Sequence, residues 1–339
     1  MQKFRVVGDP KNQPRFSSQI IIDNINQAAR RLDLYDEQGK TVVYDCIANH
    51  HGYKPDALIV CYELSFPDII TQQCGKIPVI AVSRDNYRFA LEGGLDPALV
   101  SWTPLGVDTT QFFPEPKTNL RDFFVIGTYS ESLVRGGYDV LMHAFGQLFG
   151  GNKDVLLYIK DRNGTPEFER WINEQIQYYD IKCIYNNCHL DSAQAERALL
   201  SCFDAHCYLN FSSTWAMPPC QTMAMGIPTI ATSYSGPREY ILDEITGLTC
   251  DYRIEHLNSR ILSDLQQIGA RNFFFTQGYR TPPYWAVPRI EAVMENMASL
   301  YKHTEERARL SYNGACFAKD LTWERCAANI SCILSKHYG

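Results

Sequence analysis

The sequence predicts an α/β protein made of two successive units, each built on a parallel sheet, with a cleft between them. Three observations predict it. Short apolar runs alternate with amphipathic stretches along the chain, the pattern of strands followed by helices. The 339 residues suffice for two compact domains of ordinary size. Residues 102–117 carry a Gly turn and paired prolines, and a second α/β series starts after them.

In the first unit, residues 4–7 read as a strand and 18–32 as the helix after it. Residues 41–45, 57–62 and 78–82 read as further strands. In the second unit, 123–127 is a strand, 138–149 a helix, 155–160 a strand and 166–178 a helix. Residues 183–185 are extended, 192–201 helical, and 205–211 and 228–232 are buried strands. Trp323, Ala327, Ile330 and Ile333 recur at helical spacing, which predicts a helix from Asp320 onward. Residues 273–288, rich in aromatics and proline, are expected to form an irregular loop. There is no internal repeat. Ligands of such sheets sit outside the carboxyl ends of the strands, so a site is expected in the cleft.

Composition narrows the function. Hydrophobic residues make up 45% and charged residues 21%, ordinary for a globular protein. The net charge of −6 is spread evenly, with 12 basic and 14 acidic side chains in residues 1–118. No charge-segregated half suggests an electrostatic nucleic-acid footprint, so such a partner is not favoured. No run of about 18 apolar residues predicts a membrane span. The polar start, Met1 to Gly8, reads as a strand rather than a signal peptide, and a reducing, cytoplasmic location is expected. Of the twelve cysteines, Cys183, Cys188, Cys202 and Cys207 are read as buried free thiols rather than a zinc site or disulfides.

Two segments carry the chemistry. In the first, Ile126-Gly127-Thr128-Tyr129 ends a strand, and Arg135-Gly136-Gly137-Tyr138-Asp139 opens the next helix. Free amides, a positive helix end and a guanidinium suit a phosphate group. In the second, Ser213-Thr214-Trp215-Ala216-Met217-Pro218-Pro219-Cys220-Gln221 leads through Gly226-Ile227-Pro228 to Ser235-Gly236-Pro237-Arg238-Glu239.

With Pro104-Leu105-Gly106-Val107-Asp108, Phe112 and Pro114, and with Thr322-Trp323-Glu324, these segments resemble the retaining glycosyltransferases of family 4, which have a glycogen-synthase-like donor domain. The resemblance runs from about residue 83 to 323. It implies the GT-B architecture: α/β, with two Rossmann-like domains facing a central cleft. The domains implied are an acceptor domain over 1–117, a nucleotide-sugar donor domain over 118–318, and a helix over 319–339 crossing back to the first.

The departures from the family pattern matter as much. Two glutamates eight positions apart are usual there, and here the positions hold Ser213 and Gln221. The second glutamate accepts from the donor ribose, a role that the Gln221 carbonyl retains. The first faces the donor sugar, where Ser213 offers no carboxylate. A basic residue common after the first strand is Thr128 here, which leaves Arg135 as the main diphosphate partner, with Lys160 and Arg162 as substitutes. Residues 14–18 lack the glycines of the family's acceptor-side loop, and His50 and His51 read as an exposed polar loop. Glu63 is the stronger polar candidate in that domain.

The resemblance implies transfer of a sugar from a UDP- or GDP-sugar to a hydroxyl of a glycan, lipid or other acceptor, with retention. The catalytic candidates are Arg135, Glu63 and Ser213. The donor-binding candidates are Gly127, Thr128, Arg135, Gly136, Lys160, Asp161, Gln221 and Glu239, with the base near residues 161–164, His189 and Leu190. No Asp-x-Asp occurs, so the donor is expected to bind without a metal, and no cofactor is expected beyond the donor as substrate. Two alternatives stand beside this reading: a nucleotide-sugar-binding pseudoenzyme, and a transferase acting on nucleic-acid bases. The lack of Gly-x-Gly-x-x-Gly after any strand argues against a nicotinamide oxidoreductase.

Overall fold

The computed structural model describes residues 1–9, 17–45, 52–61, 71–72, 74–117, 120, 122–130, 135–162, 164–257 and 284–339. The first half holds a parallel sheet of β1 (Phe4–Val7), β2 (Lys40–Asp45), β3 (Ala57–Val60), β4 (Val79–Ala81) and β5 (Val100–Trp102), in that spatial order. Both faces are covered, which is why these strands are near-continuous apolar runs. Val42, Ile59 and Ile80 enter one core, and Val43, Leu58 and Val79 the other. Helix α1 (Ser17–Arg31) lays Ile21, Ile22, Ile25 and Ala28 on the first face. Helix α2 (Arg84–Glu92) brings Phe89 and Ala90 to the second, and its N-cap Ser83 accepts from the Asn86 amide at 3.2 Å.

The second half holds β6 (Phe124–Ser130), β7 (Val155–Asp161), β8 (Cys183–Asn186), β9 (Ala205–Tyr208), β10 (Thr229–Thr232) and β11 (Leu248–Cys250). Their order is β11-β10-β9-β6-β7-β8, all parallel. Between them run α3 (Tyr138–Phe149), α4 (Pro166–Tyr179), α5 (Ala193–Leu200) and α6 (Met217–Ala224). An antiparallel pair, β12 (Tyr252–His256) with β13 (Tyr284–Pro288), follows, and then α7 (Ile290–Lys302), α8 (Thr304–Ala318) and α9 (Trp323–Tyr338). The loop expected over 273–288 is thus corrected at its end. Residues 284–288 pair with the strand 252–256, Tyr284 opposite His256 and Pro288 opposite Tyr252, a partner that local composition does not reveal.

Helix α9 packs on the first unit. Ile330, Ile333 and Leu334 share a core with Ile25, Arg31 Nε donates to Glu324 Oε1 at 2.6 Å, and Ser331 Oγ donates to the Gln2 carbonyl at 2.7 Å. The segment between the sheets is not a loose tether: Val107 N–H donates to the Leu321 carbonyl at 2.9 Å, and a Cβ on Gly106 would lie 2.5 Å from the Trp323 nitrogen. Cys202 and Cys207 are buried free thiols, whereas Cys183 is half-buried and Cys188 exposed, a correction that follows from β8 lying at the sheet edge. No helix among the described residues is long and apolar enough to cross a membrane.

Candidate functional site

Strand order locates the site. In the first sheet the described strands run from β1 to β5 without reversal, whereas in the second the chain starts at β6, moves out to β8, and returns on the other side at β9. Connections leaving β6 and β9 therefore diverge, opening a crevice at their carboxyl ends. Ser130 Oγ, at the end of β6, donates across it to Asn210 Oδ1 at 2.7 Å.

The Arg135-Gly136-Gly137 turn closes one side. The Phe211 amide donates to the Arg135 carbonyl at 2.8 Å, which docks the turn on the chain leaving β9. Gly137 caps α3 at φ 68°, and a Cβ there would overlap the Leu209 carbonyl oxygen, so only glycine permits the approach. The N-cap Gly137 has no side chain to cap α3, and the Asp139 carboxylate in the first turn takes hydrogen bonds from the Asp139 and Val140 amides instead. Arg135 lies partly buried beside them, and desolvation holds its guanidinium below the ordinary arginine range.

Lys160, at the end of β7, is 2% exposed and donates from Nζ to the Asp161 carbonyl at 2.6 Å. Burial lowers its pKa, opposed by the Asp161 charge. Asp161 is buried too and accepts from Tyr185 OH at 3.1 Å. Gly127 and Thr128 lie within the sheet: the Phe203 ring occupies the space of a Gly127 side chain, and Thr128 is buried.

A polar cluster that the sequence reading did not assemble sits on the adjoining helices. Glu196 Oε1, on α5, accepts from Tyr129 OH at 2.6 Å and from Arg162 Nη2 at 3.1 Å. Arg162 Nε also donates to the Tyr129 oxygen at 2.9 Å. Gln221, buried on α6, donates from Nε2 to Glu196 Oε2 at 3.5 Å, while its Oε1 is buried with no partner among the described residues. Glu196 carries no motif, and only its first-turn place on a helix after β8 hinted at it.

Beneath the cluster, Tyr129 N–H donates to His206 Nε2 at 3.3 Å, so the neutral ring's proton is on Nδ1, 2.8 Å from Thr222 Oγ1. Complete burial pushes the His206 pKa down to about 3. The ring joins β6, β9 and α6 beneath the crevice.

Ser213 is buried on the loop between β9 and α6, where its Oγ accepts from Tyr208 OH at 3.4 Å. Glu239 reaches the first unit: its Oε1 accepts from the Arg84 amide of α2 at 2.7 Å. Burial raises its carboxyl pKa, partly offset by that amide. The structure therefore brings Arg135, Gly136, Lys160, Asp161, Ser213 and Gln221 around the crevice of one sheet, with Glu239 at the junction of the two units. Glu63, His50, His51 and residues 14–16 lie outside the described residues.

Comparison with known proteins agrees on architecture. Neither a family model nor a relative found by sequence matches the chain. Among solved structures, HepE of Anabaena in complex with UDP-glucose superposes with a TM-score of 0.64 at 14% identity, covering 99% of this chain and all of that one. Sucrose-phosphate synthase of Thermosynechococcus elongatus gives 0.67 at 12% identity, over 100% and 99% of the two chains. A glycosyltransferase of Rickettsia africae gives 0.63 at 14%, over 96% and 83%. Two parallel α/β sheets, a crossing C-terminal helix and full-length superposition on such proteins give one conclusion: this chain has the GT-B glycosyltransferase fold.

Proposed function

We propose that the protein transfers a sugar from a nucleotide-sugar donor, UDP- or GDP-linked, to a hydroxyl acceptor, with retention and without a metal. The observation that carries the proposal is the Arg135-Gly136-Gly137 turn, docked on Phe211 at the switch point where it opens α3. A leaving nucleoside diphosphate placed there meets a guanidinium and peptide amides fixed before the reaction begins, the form of electrostatic stabilisation that lowers a barrier most. Lys160 adds a second positive group once an anion competes with the Asp161 carbonyl for its ammonium. Asp161 borders the base, and Gln221 the ribose, with Glu196 supplying the carboxylate that α6 lacks. Solved structures of the same fold that hold UDP or UDP-glucose support a donor of this class. The domains follow the sheets: acceptor side 1–117, donor side 118–318, crossing helix 319–339.

Single-turnover assays with UDP- and GDP-sugars, comparing wild type with Arg135→Ala and with and without a chelator, test the proposal. Unchanged turnover in Arg135→Ala would reject the phosphate role, and loss of turnover on chelation would reject metal independence. One observation favours a second reading, a donor-binding protein without transferase activity: Ser213 offers a hydroxyl already engaged by Tyr208 where a carboxylate would serve. Tight donor binding with neither transfer nor hydrolysis across an acceptor panel would establish it.

A further inference from the structure

Two carboxylates cross between the units in opposite directions. Asp85, on α2, accepts at Oδ2 from the Ser235 amide at 2.8 Å, and Glu239 accepts from the Arg84 amide at 2.7 Å. Each unit thus offers an acid to the first amides of a helical turn in the other, Asp85 to the 3-10 turn Gly236–Glu239 and Glu239 to α2. Arg238 Nη1 lies 3.8 Å from Asp85 Oδ2, Arg84 Nε 3.9 Å from Glu239 Oε2, and Arg88 Nη2 3.1 Å from Asp85 Oδ1. Phe89, Tyr234 and Tyr284 close the contact from the apolar side, with ring centroids 6.2 to 6.4 Å apart.

Ser235 sits at φ 60° and ψ −146°, a backbone region that glycine occupies readily and other residues only under strain. Its hydroxyl is buried with no hydrogen-bond partner among the described residues, so its own side chain does nothing to offset that strain. The hydrogen bond to Asp85 does. One residue further on, Gly236 N–H donates to the Ser213 carbonyl at 2.8 Å, and a Cβ on Gly236 would lie 2.5 Å from the Thr214 oxygen. Tyr240 OH lies 2.9 Å from the Trp215 carbonyl and 2.6 Å from that of Ala216, which is itself held at φ 68°. An acid of the first unit, a strained serine and the loop 213–216 therefore form one unbroken series of contacts.

We propose that Asp85 is a positioning residue for the donor sugar: by holding Ser235 in its positive-φ conformation, it sets the shape of the loop 213–216 against which the sugar rests. The inference rests on the donor-site reading given above, and adds that the first unit decides the shape of a loop belonging to the second. It separates two parts of one ligand. The nucleoside diphosphate is held at the far side of the crevice by Arg135 and α3, whereas the sugar depends on Asp85. Linkage makes the effect reciprocal, so a bound sugar favours the joined units by the factor by which the joined units favour the sugar.

Calorimetry with two matched pairs, UDP with UDP-glucose and GDP with GDP-mannose, tests this on the full chain. Asp85→Ala is expected to bind the nucleoside diphosphate as wild type does, while affinity for the matching nucleotide sugar falls about tenfold. Adding Ser235→Gly to Asp85→Ala should restore the sugar affinity, because glycine takes that backbone without a clamp. If Asp85→Ala does not fold, Asp85→Glu, which displaces the carboxylate by one methylene, is read in its place for the same sugar-only loss. Equal losses for both members of a pair, no loss for either, or no restoration by Ser235→Gly overturns the role. A wild type that binds neither diphosphate rejects the donor site itself, a result distinct from binding that Asp85 variants leave undisturbed.

Discussion

Gln221 and Glu196 form an amide–carboxylate pair across two helices, Nε2 to Oε2 at 3.5 Å, so that a charge absent from α6 is supplied by α5. Tyr129 and Arg162 orient the same carboxylate, and four side chains from β6, β7's exit, α5 and α6 act together. Glu196→Gln should therefore weaken binding of a nucleoside diphosphate about tenfold or more, the loss expected for hydrogen bonds to a charged acceptor. Comparing UDP with 2′-deoxy-UDP by calorimetry locates the effect, since the preference for the ribose form should shrink in the variant. An unaltered preference would place the ribose elsewhere.

Arg135→Ala should lower kcat/KM for donor consumption by roughly a hundredfold to a thousandfold, the range for removing one preorganised donor from a developing anion. Far-UV circular dichroism should be unchanged, because the Arg135 carbonyl, not its side chain, docks the turn on Phe211.

Gly137→Ala should cost about 2 kcal/mol or more, read as a lowered urea midpoint. A methyl there meets the Leu209 oxygen, and alanine is strained at φ 68°. Gly52, also at positive φ but with no atom of the described residues within 4 Å of an added Cβ, should tolerate alanine with the smaller backbone cost alone.

His206 makes stability depend on pH. Its pKa drops from 6.5 to about 3 on folding, so between those values the unfolded chain holds a proton that the folded chain does not. Acid then favours unfolding: stability is fully present above about pH 6.5 and is lost as pH falls toward 3. The loss between pH 7 and pH 5 should be about 2 kcal/mol in urea titrations, and His206→Gln, which keeps a donor for Thr222, should flatten it. An equally steep decline in that variant would assign the acid sensitivity to other groups.

Much of the fold was legible in the chain itself. The helix over 138–149 and the strand over 4–7 fall where periodicity places them, because each is apolar on every face it buries. β12 and β13 were not legible, since pairing between distant segments leaves no local signature. The same division runs through the site. Glycine and arginine before a helix point to phosphate chemistry at Arg135 from sequence, because backbone freedom and charge are properties of the residues themselves.

What the sequence by itself determined is many of the strands and helices of the two sheets, the division into two α/β series, and the glycine-and-arginine turn that opens α3. Periodicity and backbone preference are local, so they survive in a string of letters. Only the tertiary structure decided that β6 and β9 part to form the crevice, that Glu196 stands beside Gln221, and that Glu239 reaches Arg84 of the first unit. Those relations depend on strand order and on contacts between residues 25 and 155 positions apart, which burial and hydrogen bonding select only once the chain has packed.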